Sequence, residues 1–150
     1  MIDRRKESKA FGGPGFTLTE ILVTIVIMAI LAGLALPRYN MFMKKMKSQE
    51  AVGILLNILS DQLSYYKDNG SYATQMTDLD VQVPTPKNFN DVVPGSVTLD
   101  CSGTPRETVA NMEFKDTSFK LYVTTDGQIV CKNTGGGPDP CPSLGFLSCI

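Results

Sequence analysis

The 150-residue chain contains no histidine. This removes the commonest general base, the commonest metal ligand and the Ser-His or Cys-His nucleophile pairs. None of Cys101, Cys131, Cys141 and Cys149 forms a Cys-x-x-Cys spacing, so zinc and thioredoxin-like redox sites have no footing. Internal repeats and low-complexity tracts are missing too. The residues point to no convergent carboxylate pocket, so no catalytic residue, metal ligand or cofactor is expected. Most telling is a local absence of charge: in residues 16–36 the only strongly polar side chain is Glu20, beside Thr17, Thr19 and Thr24.

As a helix this run spans about 30 Å, the thickness of a bilayer core. An acidic side chain deep in a membrane helix costs roughly 2.5–3.5 kcal/mol, less near the interface, so Glu20 needs a partner or a use. Length, 43% hydrophobic residues and a net charge of −1 fit one modest domain plus a membrane segment. Residues 1–15 carry Arg4, Arg5, Lys6 and Lys9 against Asp3 and Glu7 and break at Gly12-Gly13-Pro14-Gly15, which reads as a short basic leader.

Arg38, Lys44, Lys45 and Lys47 balance the leader cations across the run, so basic residues do not orient it. The cysteines do. Four in one loop-rich region read as two disulfides formed in an oxidising compartment, with the N-terminus inside and the C-terminus outside. Three pairings are open; the favoured one closes a local loop with Cys131–Cys141 and ties the tail to the sheet with Cys101–Cys149.

Past Pro37 the pattern turns periodic. Val52, Leu55, Leu56, Leu59, Leu63 and Tyr66 read as the buried stripe of an amphipathic helix over residues 37–68, with Gly70 in the left-handed position beyond its end. Gly33 and Pro37 are where so long a helix should bend or locally melt. Residues 118–125 and 128–132 read as strands joined at an Asp126-Gly127 hairpin turn, with Phe119, Leu121 and Val123 on the face toward the helix. Residues 97–101 and 109–114 are further strands of an antiparallel sheet, while Pro84, Pro86 and Pro94 break 81–93 into loop. The expected fold is α+β: a long kinked N-terminal helix, membrane-spanning in its first half, on a small antiparallel sheet with a cysteine loop in a head over residues 69–150.

Gly15-Phe16-Thr17-Leu18-Thr19-Glu20, the apolar run after it and Pro37-Arg38-Tyr39 resemble the type IV pilin and pseudopilin family. The resemblance implies cleavage after Gly15 by a prepilin peptidase and methylation of the new Phe16 amine. It also implies assembly at an inner-membrane pilus or secretion machinery, from a membrane-held single-pass pool into a helical homo-oligomeric filament. Glu20 would face the Phe16 amine of a neighbouring subunit, offsetting part of its desolvation and penalising misregister. The leading expectation is a structural subunit of a cell-surface type IV pilus, or fimbrium; the alternative is a type II secretion pseudopilin, ending in a periplasmic pseudopilus. Pro14 departs from the Lys many relatives carry there.

Three plainer readings compete. Thr17 and Glu20 fit a capping box, which would make Glu20 a helix cap. Gly33-Leu34-Ala35 fits the cut site of an ordinary signal peptide on a secreted binding domain, but Glu20 then lies inside the apolar region. Asp126, Asn133 and Asp139 suggest a calcium loop, yet match no calcium spacing and fit turn chemistry. Beyond Asn69, nine acidic side chains face five basic ones, a balance poorly suited to nucleic-acid phosphates.

Overall fold

The computed structural model describes residues 15–150, without the side chains of Leu36 and Pro37. The leader expected over residues 1–15 therefore lies, apart from Gly15, outside the described residues. Helix α1 (Leu18–Asn69) is followed by a 3₁₀ turn (Met76–Asp78), strands β1 (Val93–Cys101), β2 (Thr104–Glu113), β3 (Phe119–Thr124) and β4 (Ile129–Asn133), a short helix α2 (Cys141–Leu144) and strand β5 (Leu147–Cys149). The contacts fall into two units, one ending at Pro37 and one running from Arg38 to Ile150.

In the second unit, α1 ends because Gly70 takes φ +70° while its N–H donates to Tyr66 O at 2.8 Å. Asn69 Nδ2 adds a side-chain bond to the carbonyl of Tyr65 at 3.0 Å. The buried stripe only partly follows the one the hydrophobic residues mark: Leu55 and Leu59 are in the core and Leu63 packs against it. Ser48, Ala51, Leu55, Ile58 and Gln62 are fully buried, while Leu56 and Tyr66 are exposed. The stripe is turned by about one position because two polar residues belong to it: Ser48 Oγ donates to Lys44 O, and Gln62 ties down two other segments.

The sheet order is β1-β2-β3-β4-β5. The first four strands form the expected antiparallel meander, but β5 pairs parallel with β4, so the sheet is mixed. A three-residue edge strand offered too short a pattern to read. Strand β1 begins earlier than its prolines suggest: Val93 and Pro94 already pair with Asn111 and Ala110, before a bulge toward Val97. As an edge strand it tolerates the missing proline N–H. The β3–β4 hairpin is wider than a two-residue Asp-Gly turn. Thr124 N–H donates to Gln128 O, and Gly127 takes φ +83° at the end of a three-residue loop.

Phe119, Leu121 and Val123 face the helix, in one cluster with Ala51, Leu55, Ile58, Phe89, Met112 and Leu144. The opposite face carries a second small core of Leu99, Tyr122 and Val130 around Cys101 and Cys149. That core closes because the sheet curls until its edges meet. Cys101 on β1 is bonded to Cys149 on β5, and Ile150 N–H donates to Asp100 O at 2.8 Å. Cys131–Cys141 pins β4 to α2.

Two carboxylates tether loops to this frame. Glu50 accepts from Lys87 N–H at 2.6 Å and Asn88 Nδ2 at 2.8 Å, and those bonds hold its pKa below the ordinary carboxylate value. Asp116 is raised by burial, but its bonds with Lys44 at 2.8 Å and with Ser118 outweigh that and leave its pKa lowered.

Candidate functional site

Among the residues the sequence singles out, Gly15, Phe16, Thr17 and Glu20 come together at the start of α1. The helix begins with a cap: Thr17 Oγ1 accepts from Glu20 N–H at 3.2 Å, and Thr17 O accepts from Glu20 and Ile21 N–H at 3.1 and 3.2 Å. This is half of a capping box. The reciprocal bond, from Thr17 N–H to the Glu20 carboxylate, is not made, and that carboxylate has no hydrogen-bond partner among the described residues. Thr17 alone therefore suffices as cap; Glu20, in the first turn, favours the positive helix end but makes no capping bond of its own.

The surface around it is apolar throughout. Leu18–Ala35 is long and apolar enough to cross a membrane, and none of it is buried within the chain. Phe16 is 79% exposed. The two hydroxyls of the run are satisfied locally, Thr19 Oγ1 with Thr17 Oγ1 at 3.1 Å and Thr24 Oγ1 donating to Ile21 O at 2.8 Å, as a helix in lipid requires. Gly33 and Pro37 lie within α1, whose helical assignment continues through both. A bilayer could cover this segment, and so could other helices of the same kind. Either way the Glu20 carboxylate must find a donor or a cation from outside the described residues.

The four cysteines lie elsewhere, in the curled sheet, paired as Cys101–Cys149 and Cys131–Cys141. Asp126, Asn133 and Asp139 do not converge; each serves its own turn. Asp126 accepts from the Thr124 hydroxyl and from Arg106 at 3.3 Å, Asn133 Oδ1 from Gly135 N–H at 3.1 Å, and Asp139 Oδ1 from Cys141 N–H at 3.0 Å. The Thr124 bond is foremost in holding the Asp126 pKa below its ordinary value.

Sequence reasoning missed Gln62. Its Nε2 donates to Ala73 O at 2.9 Å and Val109 O at 3.2 Å, while its Oε1 accepts from Ala73 N–H at 2.8 Å. The available signal was spacing, since Gln62 falls four residues after Ile58 and seven after Leu55.

Comparison with known proteins bears on the N-terminal segment. Residues 14–36 match the prokaryotic N-terminal methylation motif. The chain is 38% identical over 84 residues to type II secretion system core protein G of Aeromonas hydrophila, covering 51% of this chain and 58% of that one. It is 34% identical over 95 residues to the protein of the same name from Pseudomonas aeruginosa, covering 59% and 63%. It is 33% identical over 70 residues to type IV major pilin protein PilE1 of Neisseria gonorrhoeae, covering 47% and 42%. The chain thus spans less than two thirds of the length of these relatives. No solved structure matches. With the motif at its N-terminus, an unpartnered acidic residue in an exposed apolar helix and a small disulfide-braced sheet, the chain is similar to pilins and pseudopilins, and these matches support that family.

Proposed function

We propose that this chain is a subunit of an extracytoplasmic helical filament, built from an inner-membrane pool after a prepilin peptidase cuts between Gly15 and Phe16 and Phe16 is N-methylated. The observation that carries it is the exposed Leu18–Ala35 helix with the Glu20 carboxylate at its start and no partner for it among the described residues. In the membrane pool this carboxylate is costly. In a filament, the positive amine of a neighbouring Phe16 offsets that cost and favours one register over its slips. Head-to-tail repetition of one contact then gives an open helical assembly.

Between the two kinds of filament, the longer and higher-identity matches to secretion protein G favour a type II secretion pseudopilus, with a type IV pilus as the second reading. Deleting the gene and scoring surface fibres against export of secreted enzymes separates them. Lost export with unchanged surface fibres supports the pseudopilus, and the reverse supports the pilus. For the shared reading, the mature protein should begin at a methylated Phe16 by mass. The Glu20→Ala variant should be cleaved normally yet yield at least tenfold fewer filaments. A mature chain beginning near Leu36 would end the proposal, and normal filaments from Glu20→Ala would reduce Glu20 to an incidental residue.

A further inference from the structure

A groove of about 510 Å³ lies between α1, the loop over residues 86–88 and the turn between β2 and β3. Its lining gathers Lys44 and Lys47 from the helix, Lys87 from the loop and Lys115 from the turn, against the carboxylate of Asp116. With Glu50 counted as well, where it accepts from Lys87 N–H, four cations face two carboxylates. The head as a whole has the opposite sign, with nine acidic side chains to five basic ones beyond Asn69. Four ammonium groups repel one another in one concavity, and an anion among them relieves that repulsion.

The walls are fixed by bonds that leave charge to spare. Glu50 accepts from Lys87 N–H and Asn88 Nδ2, while Lys115 Nζ donates to Pro86 O at 3.3 Å and Lys87 O at 2.8 Å, so the loop is held from two sides. Lys44 Nζ pairs with Asp116 at 2.8 Å and lies 5.7 Å from the centre of the Phe114 ring. Lys47 and Lys87 make no ion pair among the described residues. Two cations on a positioned frame are therefore open to a ligand.

Lys44 and Lys47 share one face of α1 and follow within twelve residues of Ala35, where the membrane-length run ends. Side chains on a helix lean toward its N-terminal end, so both lean back toward the part of the sequence that leaves the run. Basic residues so soon after a membrane span meet the headgroup layer, and each adds to the attraction for an anionic surface. We infer that this groove takes the phosphodiester of an anionic lipid headgroup, with Lys47 and Lys87 as its cations, while the subunit is held in the membrane. The inference rests on the membrane-held pool proposed above. Each unesterified phosphate oxygen accepts from one ammonium group. An extended polyanion such as a nucleic acid would run onto the acidic remainder of the head, whereas a single headgroup stays within the groove.

The test titrates the full-length processed protein in detergent with phosphatidylglycerol or phosphatidylcholine and counts bound lipid by native mass spectrometry. Wild type should retain one phosphatidylglycerol roughly tenfold more tightly than phosphatidylcholine. Lys47→Gln with Lys87→Gln should abolish that preference, and Lys47→Arg with Lys87→Arg should keep it. Lys67→Gln with Lys132→Gln removes the same charge away from the groove and should leave the preference intact. Should the first glutamine pair melt lower than wild type, Lys87→Gln alone, at an exposed side chain, decides by a several-fold loss. Equal losses from both glutamine pairs would overturn the inference in favour of diffuse net charge, and a wild type without preference would overturn it outright. Displacement of phosphatidylglycerol by an equal concentration of inorganic phosphate would overturn it in favour of a soluble phosphate. Cell fractionation keeps the two readings apart. Wild-type protein washed from membranes by alkaline carbonate would end the membrane-held pool itself, whereas membrane-retained protein lacking the preference overturns this inference alone.

Discussion

Replacing Gln62 with methionine should destabilise the head strongly although it keeps the helix face that meets the sheet filled. The side chain is fully buried, and methionine keeps its length and volume while removing every hydrogen bond. Three backbone groups lose their partner: Ala73 N–H, Ala73 C=O and Val109 C=O. Val109 cannot recover it from the sheet. The register of β2 shifts between Thr108 and Ala110 against β3, and Val109 has no paired residue on β1 either. A buried polar group left without a partner costs about 1–3 kcal/mol. Three such groups give a loss of about 3 kcal/mol or more, a large part of the 5–15 kcal/mol that typically holds a domain together. For a domain near a hundred residues the melting temperature should fall by roughly 10 °C or more. Melting of the processed full-length protein in detergent, followed by near-ultraviolet dichroism of the head tyrosines, measures this. Leu56→Ala, on the exposed face, serves as control. A Gln62→Met loss below about 1 kcal/mol, or no larger than that of the control, would show that Gln62 is not the tie between α1, residue 73 and the β2 bulge.

Removing Cys101–Cys149, which closes a span of 48 residues, should cost about 4 kcal/mol by chain entropy, against about 3 kcal/mol for the span of 10 closed by Cys131–Cys141. Paired Cys→Ala variants compared by denaturant unfolding check the order, and equal losses would count against it. Acidification should weaken the head in part through Glu50. Its folded pKa is lowered, so its contribution is present above the ordinary value of 4.5 and is lost as pH falls through the folded value. Glu50→Gln should therefore melt lower than wild type at neutral pH and converge with it in acid, whereas parallel melting curves at every pH would remove Glu50 from the account.

Much of this protein was legible from residue types alone because its strongest signals are local. A run of apolar residues long enough for a bilayer, with a single carboxylate, depends on no tertiary partner. The same holds for Gly70, whose left-handed cap follows from chain geometry, and for the alternation of Phe119, Leu121 and Val123. What sequence reasoning got wrong is where a long-range contact overrode a local preference. Hydropathy turned the helix stripe toward Leu56 and Tyr66, whereas a hydrogen-bonding glutamine and a small serine fix the face that docks. Pro94 reads as a strand breaker only until its strand is known to lie on the edge. The favoured Cys101–Cys149 pair already ties the tail to the sheet, but three residues are too few to announce the parallel pairing of β5 with β4.

The same distinction bears on Glu20. A capping box is a local explanation, and it would have made the carboxylate a feature of the helix alone. The structure divides the box: Thr17 performs the capping, and the carboxylate is left exposed with no bond among the described residues. An acidic group without a partner is costly in an apolar setting. On the filament reading proposed above, that cost falls when a neighbouring subunit supplies a cation. A slip along the helix would separate the two charges, so on that reading Glu20 selects one axial register.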